Sequence, residues 1–193
     1  PRRQYVAEVF AKVAPRYDLM NDLMSLFLHR SWKNRFVKQI PLVEGQKLLD
    51  LAGGTGAIAL RYLERAHSKK IATQAIVCDP SPEMMEEGKK KKNARALAAN
   101  LQWVEAVAEK MPFAEGEFAV CTIAFGLRNT TDRAASLAEI NRVLISGGWF
   151  FCLEFSKVHI PIWREVYAIY TRFLPYLGKL VAGNHSAYDY LVE

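Results

Sequence analysis

The stretch Leu48-Leu49-Asp50-Leu51-Ala52-Gly53-Gly54-Thr55-Gly56 constrains this chain more than any other. An apolar run gives way to a glycine-rich turn and then to a helical stretch, Ile58 to Ala66, which is how a strand hands over to a helix in an open α/β sheet. With Lys47 to Leu51 as the first strand, four further runs read the same way: Gln74 to Cys78, Leu101 to Val107, Ala119 to Phe125 and Trp149 to Leu153. Helical segments separate most of them. One runs from Pro82 to about Asn93 with Ser81 as N-cap. Another opens at Thr131 or Asp132, buries Leu137, Ile140 and Leu144, and stops at Gly147-Gly148. Strands alternating with helices need crossover connections, so the expected fold is a doubly wound α/β domain with a mostly parallel sheet.

The flanks read as helical. Val6, Val9, Phe10 and Val13 make an amphipathic stripe that Pro15 ends, and Asp18 to Val37 is rich in Met, Leu, Trp and Phe. Residues 1–44 are therefore expected to form a helical lead-in and substrate cap, 45–157 the ligand-binding core, and 158–193 an apolar helical segment, all in one domain. Between Ile160 and Val181, Ile162, Val166, Ile169 and Phe173 lie beside a second stripe of Trp163, Tyr167, Tyr170 and Leu174. More than one face must then be buried, in a core, in a helix pair of a homodimer, or as a lipid tunnel.

A hydrophobic content of 51% is enough for such a core. No uncharged apolar stretch of about 18 residues occurs, which predicts a soluble or peripheral protein. The three cysteines, Cys78, Cys121 and Cys152, fall singly in apolar strands and read as reduced core residues of an intracellular protein. The net charge of +6 is densest at Lys89 to Lys92, at a helix C-terminus where cations are favoured in any case. That run reads as a solvated face, and no nucleic-acid partner is expected.

The glycine loop alone does not choose a ligand. Gly54, Gly56 and Ala59 satisfy the dinucleotide fingerprint, and Asp79 closes the second strand 23 positions after Gly56, where a ribose-binding acid belongs. Asp50 decides. A carboxylate beside the loop opposes a pyrophosphate but favours the cationic amino and sulfonium groups of S-adenosylmethionine. The expected cofactor contacts are Asp50, Ala52, Gly53, Gly54, Thr55, Gly56 and Asp79, with Pro80 and Met84 flanking the adenine. Val107, Ala108 and Glu109 meet its edge from the third strand, and Ala124 and Phe125 stand at the end of the fourth. No metal is expected.

Taken together, Tyr17-Asp18-x-Met20-Asn21-Asp22, His29-Arg30-x-Trp32-Lys33, Phe125-Gly126-Leu127-Arg128-Asn129 and Leu153-Glu154-Phe155-Ser156-Lys157 resemble the ubiquinone and menaquinone biosynthesis C-methyltransferase family over nearly the whole chain. The resemblance implies a Rossmann-like class I methyltransferase that moves a methyl group from S-adenosylmethionine to a ring carbon of a polyprenylated benzoquinol or naphthoquinol, leaving S-adenosylhomocysteine. It implies a lipophilic quinol substrate, peripheral membrane association, a homodimer or a quinone biosynthesis complex, and a site in the mitochondrial matrix or the bacterial cytoplasm, at the inner membrane surface. Arg128 is the expected catalytic residue, stabilising a phenolate or orienting a water, with Tyr17, Asn129 and His29 secondary; for His29 a structural hydrogen bond is the simpler role. Ala57 and Val107 depart from the family pattern, which usually has an acid and an Asn there. The class has seven strands against five counted here, so the last two are expected to be absent from a trimmed chain, leaving the fifth strand as an edge. Two rival functions stay open: a nicotinamide-dependent oxidoreductase, and a non-catalytic methyltransferase-like subunit that binds lipid.

Overall fold

The computed structural model describes residues 14, 21–22, 25 and 27–155. The expected first helix ending near Val13, Tyr17, and the apolar segment from Ile160 to Val181 lie outside the described residues. Within them the order is α1 (Leu28–Gln39), β1 (Lys47–Leu51), α2 (Ala57–Ser68), β2 (Gln74–Asp79), α3 (Pro82–Lys89), α4 (Lys92–Ala96), β3 (Leu101–Glu105), β4 (Phe118–Ala124), α5 (Arg133–Val143) and β5 (Leu144–Leu153).

The five strands pair in parallel in the order β3-β2-β1-β4-β5. The chain winds outward from β1 to β3, then returns to the other side of β1 for β4, so β1 and β4 are the neighbours between which the winding reverses. Alternation along each strand divides the core. Leu48, Ala75, Val77 and Val120 face the layer of α1, α2 and α4, with Phe36, Ile40, Tyr62 and Leu63. Leu49, Leu51, Ile76, Cys78, Cys121 and Ile123 face the α5 layer, with Ile140 and Val143. A sheet apolar on both faces is what parallel pairing demands.

Several local expectations need correction. The helix from Pro82 ends at Lys89, because Lys91 turns extended (φ −63°, ψ 139°) and a separate short helix follows. Ser81 is its N-cap as expected, accepting from the Met84 amide at 3.3 Å. Asp132 rather than Thr131 caps α5, accepting from the Ala135 amide at 3.0 Å. The buried stripe of α5 is Ser136, Ile140 and Val143, while Leu137 is 44% exposed. Ser136 can lie inside because its hydroxyl is satisfied by the Asp132 carbonyl at 2.7 Å. Gly147-Gly148 does not stop this helix. Leu144 is already extended and pairs with Phe118, and the glycines form an irregularity before the regular pairing of Trp149–Leu153 with β4. All three cysteines are free, but only Cys78 and Cys121 are buried; Cys152 on β5 is exposed. In the lysine run, Lys89 and Lys90 pair with Glu86 and Glu87, while Lys91 reaches inward to the Thr55 hydroxyl at 2.8 Å.

The Trp103 ring wedges α3 against the start of α2. A Cβ on Gly56 would approach the ring to 2.8 Å, and one on Gly88 would run into the ring and stand 2.9 Å from the Thr55 carbonyl. An exposed helical glycine replaced by alanine gains about 1 kcal/mol. Gly88→Ala is expected to lose about 1–3 kcal/mol instead, since overpacking dominates. Urea unfolding checks this, and a raised midpoint would show that the ring can retreat.

Candidate active site

The carboxyl ends of β1 and β4 frame a crevice lined by Lys33, Asp50, Ala52, Gly53, Gly54, Thr55, Ala57, Ile58, Ala124 and Phe125. It lies at the reversal point of the sheet, where ligands of open α/β folds bind. Seven of the expected residues thus come together. Both strands leave by the same device: Ala52 and Phe125 carry left-handed backbones (φ 50° and 59°). Such conformations are uncommon away from glycine and cluster at functional sites. Gly126 allows this closeness, because a Cβ there would meet the Ala52 Cβ at 2.6 Å.

Asp50 is buried beneath the loop. One of its carboxylate oxygens accepts from the Ala59 amide at 3.0 Å, near the start of α2, and the other accepts from the Thr122 hydroxyl at 3.0 Å. Thr122 stands directly beside Asp50 in the β1–β4 register, so the alternation of both strands aims the two side chains to the same face. Asp79, at the end of β2, is likewise buried, accepting from the Gly54 amide at 2.8 Å and the Ser81 amide at 2.8 Å. Burial raises both carboxyls to about 6, working against those hydrogen bonds.

The remaining expected residues divide. Gly56 is the left-handed N-cap of α2 (φ 71°), and buried Met84 packs over Gly54, its Cε 3.0 Å from where a Cβ would be. Ala106, next to Val107, donates to the Asp79 carbonyl at 3.3 Å, which brings the Val107-Ala108 exit beside Asp79. One Glu109 carboxylate oxygen accepts from the Thr131 and Asp132 amides at 2.6 and 3.1 Å, tying this exit to the start of α5. The Thr55 hydroxyl accepts from the Lys91 ammonium at 2.8 Å. Pro80 is exposed beyond Asp79.

Arg128 lies in the short 3₁₀ turn Leu127–Asn129 that follows β4. Its guanidinium sits 5.3 Å from the Phe155 ring centroid, and its Nε is 4.0 Å from Glu154. Phe155 stacks on Phe125 at 4.6 Å and meets Trp32 edge-on at 6.1 Å, so an aromatic wall joins β4, β5 and α1. The Asn129 side-chain amide donates to the Phe125 carbonyl at 3.5 Å, steadying the left-handed turn. His29 is structural. Its Nε2 stands 3.2 Å from the Asp22 carboxylate that also binds Arg30, and burial followed by the charge of Lys33 lowers it to about 4, so the ring is neutral at physiological pH.

Sequence reasoning missed Lys33, Ala57 and Ile58 as lining residues. The last two follow the glycine loop directly, but Lys33 comes from α1, and only its place in the His29-Arg30-x-Trp32-Lys33 block marked it.

The ubiE/COQ5 methyltransferase family model matches residues 2–193. A mitochondrial 2-methoxy-6-polyprenyl-1,4-benzoquinol methylase of Oryza sativa subsp. japonica is 42% identical, over 100% of this chain and 70% of that protein. The ubiquinone/menaquinone biosynthesis C-methyltransferase UbiE of Rickettsia prowazekii is 43% identical, over 97% of this chain and 76% of that protein. In fold, the chain resembles the [4+2]-cyclase SpnF with a TM-score of 0.66 at 19% identity, over 83% of this chain and 64% of that one.

A carboxyl raised from 3.8 to about 6 in the folded state contributes stability that is present below pH 4 and lost as pH rises through 6. At roughly 1.4 kcal/mol per tenfold change in proton affinity, Asp50 opposes folding at pH 7 by up to about 3 kcal/mol. Asp50→Asn is therefore expected to flatten the pH dependence of the urea midpoint between pH 4 and 7. A slope equal to that of the unsubstituted protein would show that Asp50 ionises freely.

Proposed function

This chain belongs to the ubiE/COQ5 methyltransferase family and is a C-methyltransferase of quinone biosynthesis, and from that premise we propose that its crevice holds S-adenosylmethionine and that it methylates a ring carbon of a polyprenylated quinol. The observation that carries this reading is the pair of buried carboxylates, Asp50 and Asp79, at adjacent parallel strand ends. Asp50 beside the loop opposes the phosphates of a dinucleotide, and the pair suits a ligand with a cationic end and a ribose. The nicotinamide-dependent reading, which the glycine loop and Asp79 also suit, loses its ground on Asp50 and on the family match over residues 2–193.

In this reading Asp79 accepts from the ribose hydroxyls with lone pairs not used by the Gly54 and Ser81 amides. Asp50 receives the amino group, whose charge would draw the carboxyl back to its ionised form. When bound, S-adenosylmethionine supplies an electrophilic methyl on a sulfonium. The chain's own residues orient the acceptor and manage its proton. Arg128 cannot lose a proton, so its part is to stabilise a developing phenolate or hold the water that takes the phenolic proton. Its half-buried place on the turn just after Phe125, a residue that lines the crevice, supports that part. Asn129 holds the Phe125 turn, and Tyr17 remains a candidate partner of the acceptor. The acceptor's tail makes peripheral membrane contact the natural setting, alone, as a homodimer or within a biosynthetic complex. The mitochondrial and bacterial relatives fit the two compartments expected.

Calorimetry with S-adenosylmethionine tests the crevice. Asp79→Ala is expected to weaken binding more than about tenfold, the loss that follows when a hydrogen-bonded charged group is removed. Unchanged affinity would remove Asp79 from the site. Mass spectrometry of the methylated product, from the donor and demethyl-benzoquinol or demethyl-naphthoquinol, tests the chemistry. Arg128→Ala is expected to lower kcat by about a hundredfold or more with donor affinity intact. Full turnover would make Arg128 a rim ion pair only, and no product from the unsubstituted protein would favour the lipid-binding subunit.

A further inference from the structure

One buried charge of the crevice has no part in the reading above. Lys33 is only 7% exposed and lines the crevice with Asp50, Gly53 and Gly54. It stands one turn after His29 on the inward face of α1, which passes into the apolar core at Phe36 and Val37. A buried ammonium is costly unless an anion faces it. Lys33 holds the Asp50 carboxyl down against burial, so the two charges lie within each other's field. Among the described residues lining the crevice, Asp50 and Lys33 are the only charged side chains, and they have opposite sign.

We propose that Lys33 receives the carboxylate of the donor's amino-acid end while Asp50 receives its ammonium, so that the crevice recognises a zwitterion through two side chains of opposite charge. This rests on the crevice being the S-adenosylmethionine site. Without ligand the Lys33 charge favours the ionised form of the Asp50 carboxyl. With ligand each of the two meets a group of opposite sign. Two rival roles exist for the same residue. The backbone amides that begin α2 could hold the carboxylate alone, or Lys33 could serve only to neutralise Asp50 in the fold.

The test compares two ligands by calorimetry: S-adenosylhomocysteine and its decarboxylated analogue, which keeps the amine and lacks the carboxylate. The unsubstituted protein is expected to prefer the former by about tenfold to a hundredfold, as befits a hydrogen-bonded charge. Lys33→Met is expected to lose that preference, binding S-adenosylhomocysteine about tenfold or more weakly while holding the analogue within about threefold. Lys33→Arg should restore most of the difference, and Lys33→Gln substitutes for the Met variant if that one does not fold. An unaltered preference in the neutral variants would assign the carboxylate to the backbone amides. Equal weakening of both ligands would assign Lys33 to neutralising Asp50. Either result overturns the proposal while leaving the S-adenosylmethionine reading intact. If the unsubstituted protein bound neither ligand, both would fall.

Discussion

The buried carboxylate of Asp50 is the point on which this structure turns. Through the Ala59 amide it fixes the start of α2, and through the Thr122 hydroxyl it fixes β4 against β1. The sheet's reversal point, the glycine turn and the crevice mouth are thus tied to one side chain. The arrangement opposes folding near neutrality, because the carboxyl is held well above its ordinary range by burial. Apolar packing on both faces of the sheet, from Leu48 and Tyr62 on one side to Leu49 and Phe118 on the other, offsets that cost. A group kept in such a place at the expense of stability is the pattern expected of a functional site.

Much of this was legible in the sequence because its causes are local. The β1 strand, the glycine loop and the Ser81 cap each depend on residues within a few positions of one another, and their limits came out at or near the expected ones. The errors fall where tertiary contact overrides local pattern. Leu144 has the spacing of a helical core residue, yet its pairing with Phe118 draws it into β5 and leaves Leu137 outside. The helix after Pro82 is cut short where Lys91 turns inward toward Thr55, 36 positions earlier in the chain.

The candidate site divides along the same line. Asp50, Gly54 and Asp79 were found because strand ends and a glycine turn place them, and the structure brings them together. Lys33 was quoted as part of a motif but given no task. Its contribution depends on α1 packing across α2, where Arg65 donates to the Val37 and Ile40 carbonyls and Arg61 to the Asn34 side chain. Nothing in the spacing between Lys33 and Asp50 reports that this packing brings Lys33 to the glycine turn.

The same three charges bear on how ligand could be exchanged. With both acids ionised, two carboxylates against one ammonium leave the site one net negative charge. S-adenosylmethionine carries one net positive charge at neutral pH, and the product, having lost the sulfonium, carries none. If the crevice holds S-adenosylmethionine as proposed, it is better matched to donor than to product before any contact with the transferred methyl is counted, and low dielectric around Asp50 and Asp79 magnifies that difference. Lys33 moderates it. Its ammonium favours the ionised form of Asp50, which burial opposes.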